Sequence, residues 1–341
     1  MSASLHDRLR AVGLSTEMCT TFERRRSHSI KRVEQFTHRL AALPELTAYP
    51  GLAIYTAGSH AREEASEHSD VDLFFIHDDR KADARVDGPR MKTMAIMSGV
   101  AHEMSVMRLP PPSNDGEYLK ILSLEEILKH LGSPEDDHLN HFTARMLLLL
   151  ESAPVYGKRA YNAAMGAVVD AYLRDYKDHA KDFRPIFLAN DILRYWKTVC
   201  LNYEHKRNQR KEALKIKQKI RNFKLGYSRL LTCFATIAVL SSFNHTKKRD
   251  IVEVCHMTPI ERLLTLFEKH PAVGGPLLDA LRQYHWFLEK TELPTEELER
   301  YFGERDNRIT AFGNAKAFGD HIYQVVRVSA EATGTFRYLV V

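Results

Sequence analysis

The chain has 341 residues, of which 44% are hydrophobic and 27% charged, with a net charge of +5 and a pI near 8.9. That composition describes an ordinary soluble globular protein with a substantial core, and the length suggests two domains. No apolar run reads as long enough to span a bilayer, and MSASLHDRLRAVGL lacks the apolar core of a secretion signal, so no membrane partner and a cytoplasmic location are expected.

In chain order, residues 15–43 read as a helix capped by Ser15, with Met18, Phe22, Ile30, Val33, Phe36 and Leu40 on its apolar face. Pro44 and Pro50 close it. Residues 52–57 form a short buried strand that Gly58 ends. The polar stretch from His60 to Ser69 holds a helical turn and a loop, and residues 71–77 form a second strand. The charged segment DDRKADARVDG comes next, and AHEMSVMRL (101–109) reads as a third strand, stopped at Pro110, Pro111 and Pro112.

Beyond this the chain turns helical. SLEEIL (123–128) opens with a serine and two acids. Ser133 and Pro134 begin a helix expected to run to Glu151. Further helices are expected over 186–204, 223–242, 259–269, 275–289, 294–303 and 314–329. The boundary is placed in APVYGKRA, giving a strand-containing unit over 1–157 and a helical unit over 158–341. The fold class is α+β: a small mixed sheet first, an α-helical bundle second.

Chemistry concentrates in GSHAREEASEHSDVDLFF (58–75). A glycine where a strand hands over to a turn lets backbone N–H groups approach a phosphate, and Ser59 adds a hydroxyl donor. Asp70 and Asp72 stand at i and i+2 at the head of an apolar strand, on one face, with Val71 pointing to the core. Like charges that close repel, which suits a divalent cation handling phosphates. The four cysteines (Cys19, Cys200, Cys233, Cys255) have no paired metal spacing and read as buried reduced thiols. The histidines show no HxxxH or HxH cluster, and zinc binding by His60 and His68 is not expected.

In the helical half, residues 206–224 hold nine Lys or Arg and one acid, Glu212. Lys224 and Ser228 are i, i+4 neighbours beside Tyr227 and read as opening an apolar helix. In NDILRYWK (190–197), Asn190, Arg194 and Lys197 share a face, and Arg194 is a candidate for the phosphate cleft. Trp196 reads as core rather than as a base-stacking platform.

The segment AGSHAREEASEHSDVDLFFI resembles the active-site signature of the DNA polymerase β-like nucleotidyltransferase superfamily: an apolar strand ending in Gly-Ser, a gap of about ten, then Asp-apolar-Asp opening the next strand. Its wording is most similar to bacterial signalling uridylyltransferases and minimal nucleotidyltransferases, which also tend to carry an arginine where Arg62 stands. The resemblance implies that an NTP is substrate and that Asp70 and Asp72 hold two magnesium ions, with Mn2+ an alternative. It also implies that Gly58, Ser59 and Arg62 meet the nucleotide, and that a third carboxylate sits on a later strand. Glu103 is the choice for that acid, as catalytic residue and metal ligand, ahead of Asp87 and Asp115. Lys224, Tyr227 and Ser228 are similar to the Lys, aromatic and hydroxyl of the superfamily's second domain that contact the triphosphate. The implied reaction moves an NMP, possible donors including ATP, to an acceptor hydroxyl and releases pyrophosphate. The acceptor is expected to be a macromolecule, protein or RNA, rather than a small molecule, and the basic run suits either. The competing reading is a nucleotide-sensing or partner-binding protein that kept the pocket without the chemistry.

Overall fold

The computed structural model describes residues 3–80, 91–110, 119–178, 180–205 and 212–340. It divides into two compact units. One contains Arg25–Ala65 and Ser69–Arg174; the other contains Met1–Arg24, Ser66–His68 and Asp175–Val341. The fold class is α+β, a small mixed sheet early in the chain followed by helices.

The first unit is built on four strands: β1 (Leu52–Ala57), β2 (Asp72–His77), β3 (Ile121–Ser123) and β4 (Ser152–Tyr156). Their order is β3-β2-β1-β4, with β1 antiparallel to both β2 and β4, and β2 parallel to β3. All six residues of β1 are buried, as expected of a strand covered on both faces. On one face, Leu52, Ile54, Leu73, Phe75 and Val155 share a core with Phe36 and Leu40 of the helix Thr16–Ala41 and with Leu46. On the other, the Tyr55 hydroxyl donates to the Ala144 carbonyl at 3.1 Å, and its ring lies 6.1 Å from that of Tyr161. Those partners belong to the helices His141–Leu150 and Lys158–Tyr172.

Three sequence expectations need correction here. Residues 101–109 are not a strand: they lie mostly in the helix Met91–Val106, which buries Thr93, Ile96, Val100 and Met104 at helical spacing. The helix expected from Ser133 to Glu151 is two, Pro134–His138 and His141–Leu150, broken by Asn140 at φ +60°. The boundary near residue 157 is displaced, since β4 and the helix Lys158–Tyr172 pack on the sheet and the units part at Arg174 and Asp175. Gly157 itself is a packing point rather than a linker. Its φ is +65°, and a Cβ there would lie 2.0 Å from the Leu52 carbonyl oxygen.

In the second unit, the helix Glu212–Lys224 runs through one π turn, Leu225–Arg229, into Leu230–Ser241. Phe223, Tyr227, Tyr284, Phe287, Phe302 and Phe318 form a buried aromatic core beside it. The fully buried Arg262 spends its donors inside this unit, Nε on the Val254 carbonyl at 2.9 Å and Nη1 on the Thr236 hydroxyl at 2.8 Å. The stretch Lys215–Ser241 is, against expectation, long and apolar enough to cross a membrane by length and composition, and 67% of its apolar window is buried in the fold. Cys19, Cys233 and Cys255 are buried, Cys200 is partly exposed, and all four are free thiols.

Candidate active site

β1 ends at Ala57 and the chain turns at Gly58, whose φ of +74° is a conformation that glycine adopts without steric cost. The Gly58 carbonyl accepts from the Arg62 amide at 3.0 Å, and the Ser59 carbonyl from the Glu64 amide at 2.8 Å. Both carbonyls are thus satisfied inside the loop. β2 begins directly beside this turn, because Asp72 pairs with Ala57 across the sheet. A Cβ on Gly58 would sit in ordinary contact with Asp72 Oδ2, 3.5 Å away, so the turn lies directly against the carboxylate.

The charged residues after the turn do a structural job. Arg62 is 7% exposed and donates from Nε to Glu64 at 2.9 Å and from Nη1 to Glu151 at 2.5 Å. Glu151 immediately precedes β4, so this pairing fastens the loop to the far edge of the sheet. Residues of the long helix hold the loop from its other side. Arg25 Nη1 donates to the Glu64 carbonyl at 3.1 Å, Ser29 Oγ accepts from the Ala65 amide at 2.9 Å, and Arg26 pairs with Glu63 at 2.9 Å. The expectation that Arg62 meets the nucleotide is therefore corrected: its guanidinium is turned inward, between two buried carboxylates.

At the head of β2, Val71 is 7% exposed and joins the core, Asp70 is exposed and Asp72 is half-buried. This is the alternation expected of a strand entry. Two carboxylates beside a glycine turn form a hard oxygen donor set. Mg2+ is usually held by one or two carboxylates, with substrate phosphates and water completing its shell, and the pair fits that requirement.

Glu103 does not join them. It lies on the helix Met91–Val106, where its carboxylate accepts from Arg39 Nε. Among the described residues no three His, Cys, Asp or Glu side chains come together at metal-binding spacing. The choice of Glu103 as third carboxylate is corrected accordingly, and its rivals Asp87 and Asp115 lie outside the described residues. Glu103→Gln is expected to leave turnover within about threefold of wild type, with any loss read in thermal stability, since the pair with Arg39 is only partly buried. A side-by-side rate measurement checks this.

His60, the residue after Ser59, is 3% exposed. Burial chiefly, with the nearby charge of His28, lowers its pKa to about 4, while a hydrogen bond to the Ser69 backbone and the charge of Asp70 act in the opposite sense. Burial also lowers the pKa of His141, helped by the charge of His130. Both imidazoles take up protons less readily folded than unfolded. Their folded forms are therefore unpenalised above the ordinary imidazole value near 6.5, and stability falls as pH drops below it toward the folded values. Melting temperature is expected to decline progressively from pH 7 to pH 5. His141→Asn, remote in sequence from the carboxylates, is expected to show a shallower decline in the same thermal melts.

The three residues proposed from the second unit divide. Lys224 is exposed, but the helix is continuous through it, so no helix N-terminus lies there. Tyr227 is fully buried, stacked 4.8 Å from Phe287 and 4.9 Å from Phe318, and burial raises its phenol pKa. Ser228 is 4% exposed and donates to the Lys224 carbonyl at 3.0 Å. Tyr227 and Ser228 are thus core side chains rather than a nucleotide-facing wall. Arg194 pairs with Asp191 at 3.4 Å, and Trp196 packs edge-on to Phe234 at 5.6 Å.

A strand ending in a glycine turn, with paired carboxylates at the head of the next strand, offers backbone amides and oxygen donors of the kinds that phosphates and cations use. Residues 42–142 match the family model described as the nucleotidyltransferase domain, and this part of the chain is such a domain, consistent with the DNA polymerase β-like superfamily. The match runs from ahead of β1 into the helix His141–Leu150 and stops short of β4. Neither the curated proteins nor the solved structures gave a match. The matched family supports nucleoside monophosphate transfer as the general activity.

Proposed function

We propose that the chain is a divalent-metal-dependent nucleotidyltransferase that moves an NMP from an NTP to an acceptor hydroxyl and releases pyrophosphate. The observation that supports this reading is the pairing of Asp72 with Ala57, the residue before Gly58, inside the matched domain, with Asp70 two residues earlier in the chain. Asp70 and Asp72 would hold Mg2+ or Mn2+. When bound, the cation offsets charge on the phosphate oxygens and lowers the pKa of an acceptor hydroxyl. The turn would receive the phosphates through its backbone amides and the Ser59 hydroxyl, and the Arg62 pairing keeps the turn rigid. The acceptor oxygen forms a bond to the α-phosphorus as the bond to pyrophosphate breaks. Positioning and charge neutralisation would supply most of the acceleration.

The acceptor in this reading is a macromolecule, protein or RNA. Lys215, Lys217, Arg221 and Lys224 are exposed along one helix of the second unit, which suits a polyanionic or acidic surface. Incubation with each labelled NTP, a divalent cation and cell extract tests this. Label in the RNA or protein fraction is expected and names the donor base. Label confined to small molecules would contradict a macromolecular acceptor.

A further inference from the structure

Among the described residues only two aromatic side chains are exposed, Phe312 at 36% and Tyr323 at 51%, and both stand on the helix Arg305–Ala332. They are eleven residues apart, and so in turn are Arg305, Lys316 and Arg327, each of them exposed. Eleven residues make three turns of α-helix to within about 20°, which places all five side chains inside an arc of about 60°. Along that face the order is Arg, Phe, Lys, Tyr, Arg, over a length of about 33 Å. Ala311, Phe318, Ile322 and Val325 point away from the stripe and are buried. Phe312 is braced from beneath by the buried Phe302, the ring centroids 6.3 Å apart and the planes at 69°.

We propose that this face binds single-stranded RNA, the acceptor of the nucleotidyl group, with Phe312 and Tyr323 stacking on unpaired bases and Arg305, Lys316 and Arg327 meeting the phosphates. Rings left in water contribute little to folding, because the hydrophobic gain comes from removing apolar area from water. Set between cations, they suit a ligand that repeats a flat π-face and an anion at every unit, as a single strand does. A duplex keeps its base faces inside the stack and would use the cations alone. An acidic polypeptide would also meet the cations but brings no regular series of flat partners for the rings. Positive charge continues on the neighbouring helix. A Cβ on Gly226 would lie 3.4 Å from Ala315 Cβ, and one on Gly319 would lie 3.7 Å from Leu230 Cδ1, so the two helices run in contact. The exposed Lys215, Lys217, Arg221 and Lys224 precede that contact in the chain and add to the field that draws a polyanion. Asp320 and Glu331 flank the stripe; Glu331 lies 3.9 Å from Arg327, an exposed pair of the kind that contributes little.

The role of the RNA as acceptor rests on the nucleotidyltransferase reading, so binding and transfer are measured separately on the full chain. Fluorescence anisotropy of a labelled single-stranded RNA oligonucleotide, over a range of salt, reads binding, with duplex RNA and polyglutamate as competitors. Tyr323→Leu and Phe312→Leu are each expected to weaken binding about fivefold or more, while Tyr323→Phe, which keeps the ring, stays within about twofold of wild type. Lys316→Gln combined with Arg327→Gln is expected to lower the slope of log affinity against log salt by about 1.4. Arg282→Gln, at an exposed arginine outside the stripe, is expected to change neither quantity. Thermal melts confirm that the variants fold. Wild-type affinity in every stripe variant would overturn the assignment, and so would an equal loss in Tyr323→Phe and Tyr323→Leu. Stronger competition by polyglutamate than by single-stranded RNA would overturn it in favour of an acidic protein partner. Stripe-dependent RNA binding with no label transfer from any NTP would sink the nucleotidyltransferase reading and leave the RNA-binding surface standing. Transfer onto protein without RNA binding would sink this inference and leave that reading standing.

Discussion

Asp72→Asn is expected to reduce nucleotidyl transfer at least a thousandfold while leaving the melting temperature unchanged or slightly raised. Asparagine keeps the shape of the side chain, and Asp72 sits half-buried at the end of β2, opposite Ala57, so the strand pairing survives. The loss is that of a charged oxygen donor for the cation. A thousandfold fall corresponds to about 4 kcal/mol of transition-state stabilisation, within the range such a cation supplies. Stability moves the other way because Asp70 and Asp72 repel each other in the absence of a cation, and removing one charge relieves that repulsion. A variant inactive yet at least as stable as wild type is the signature of a functional carboxylate. Rates with labelled NTP, alongside thermal melts, measure both quantities.

Arg62→Met is expected to destabilise the first unit by about 3–5 kcal/mol, a drop of roughly 10 °C or more in melting temperature. The guanidinium lies between Glu64 and Glu151, whose side chains are 5% and 0% exposed. Methionine fills much of the same volume but leaves both carboxylates buried without this cation, so the penalty comes from charge rather than from a cavity. Thermal and denaturant melts read the effect directly. A variant that melted like wild type and showed only a raised KM for NTP would return Arg62 to the role of phosphate ligand and contradict the clamp.

Much of the site is legible in the sequence because its parts are local. LAIYTA and DLFFIH are short apolar runs punctuated by Gly58 and by the Asp pair, and β1 spans the residues expected while β2 begins one residue later. Arg62 is misjudged from sequence because one of its two partners, Glu151, lies 89 residues away, and nothing in GSHAREEASE distinguishes a buried arginine from an exposed one. Glu103 is misplaced because AHEMSVM sets it among Met104, Val106 and Met107, and a short run of that kind fits a strand as well as a helix. The helical period becomes visible only when the window extends back to Met91. β3 has three residues, too few for a pattern, and β4 carries Pro154, which reads as a loop although an edge strand accepts it. That proline, with Gly157 after it, makes the sheet's edge look like a domain linker. Tyr227 shows the converse error. A lysine, a tyrosine and a serine close together suggest a ligand face, whereas continuity of the helix through Leu225–Arg229 directs the tyrosine and serine into an aromatic core.

The most direct test is pyrophosphate release and label incorporation, measured for wild type and Asp72→Asn with each labelled NTP, Mg2+ or Mn2+, and cell extract. Incorporation and pyrophosphate that require the divalent cation and vanish in the variant are the predicted result. No incorporation and no pyrophosphate from wild type with any NTP, or equal amounts from wild type and Asp72→Asn, would contradict it.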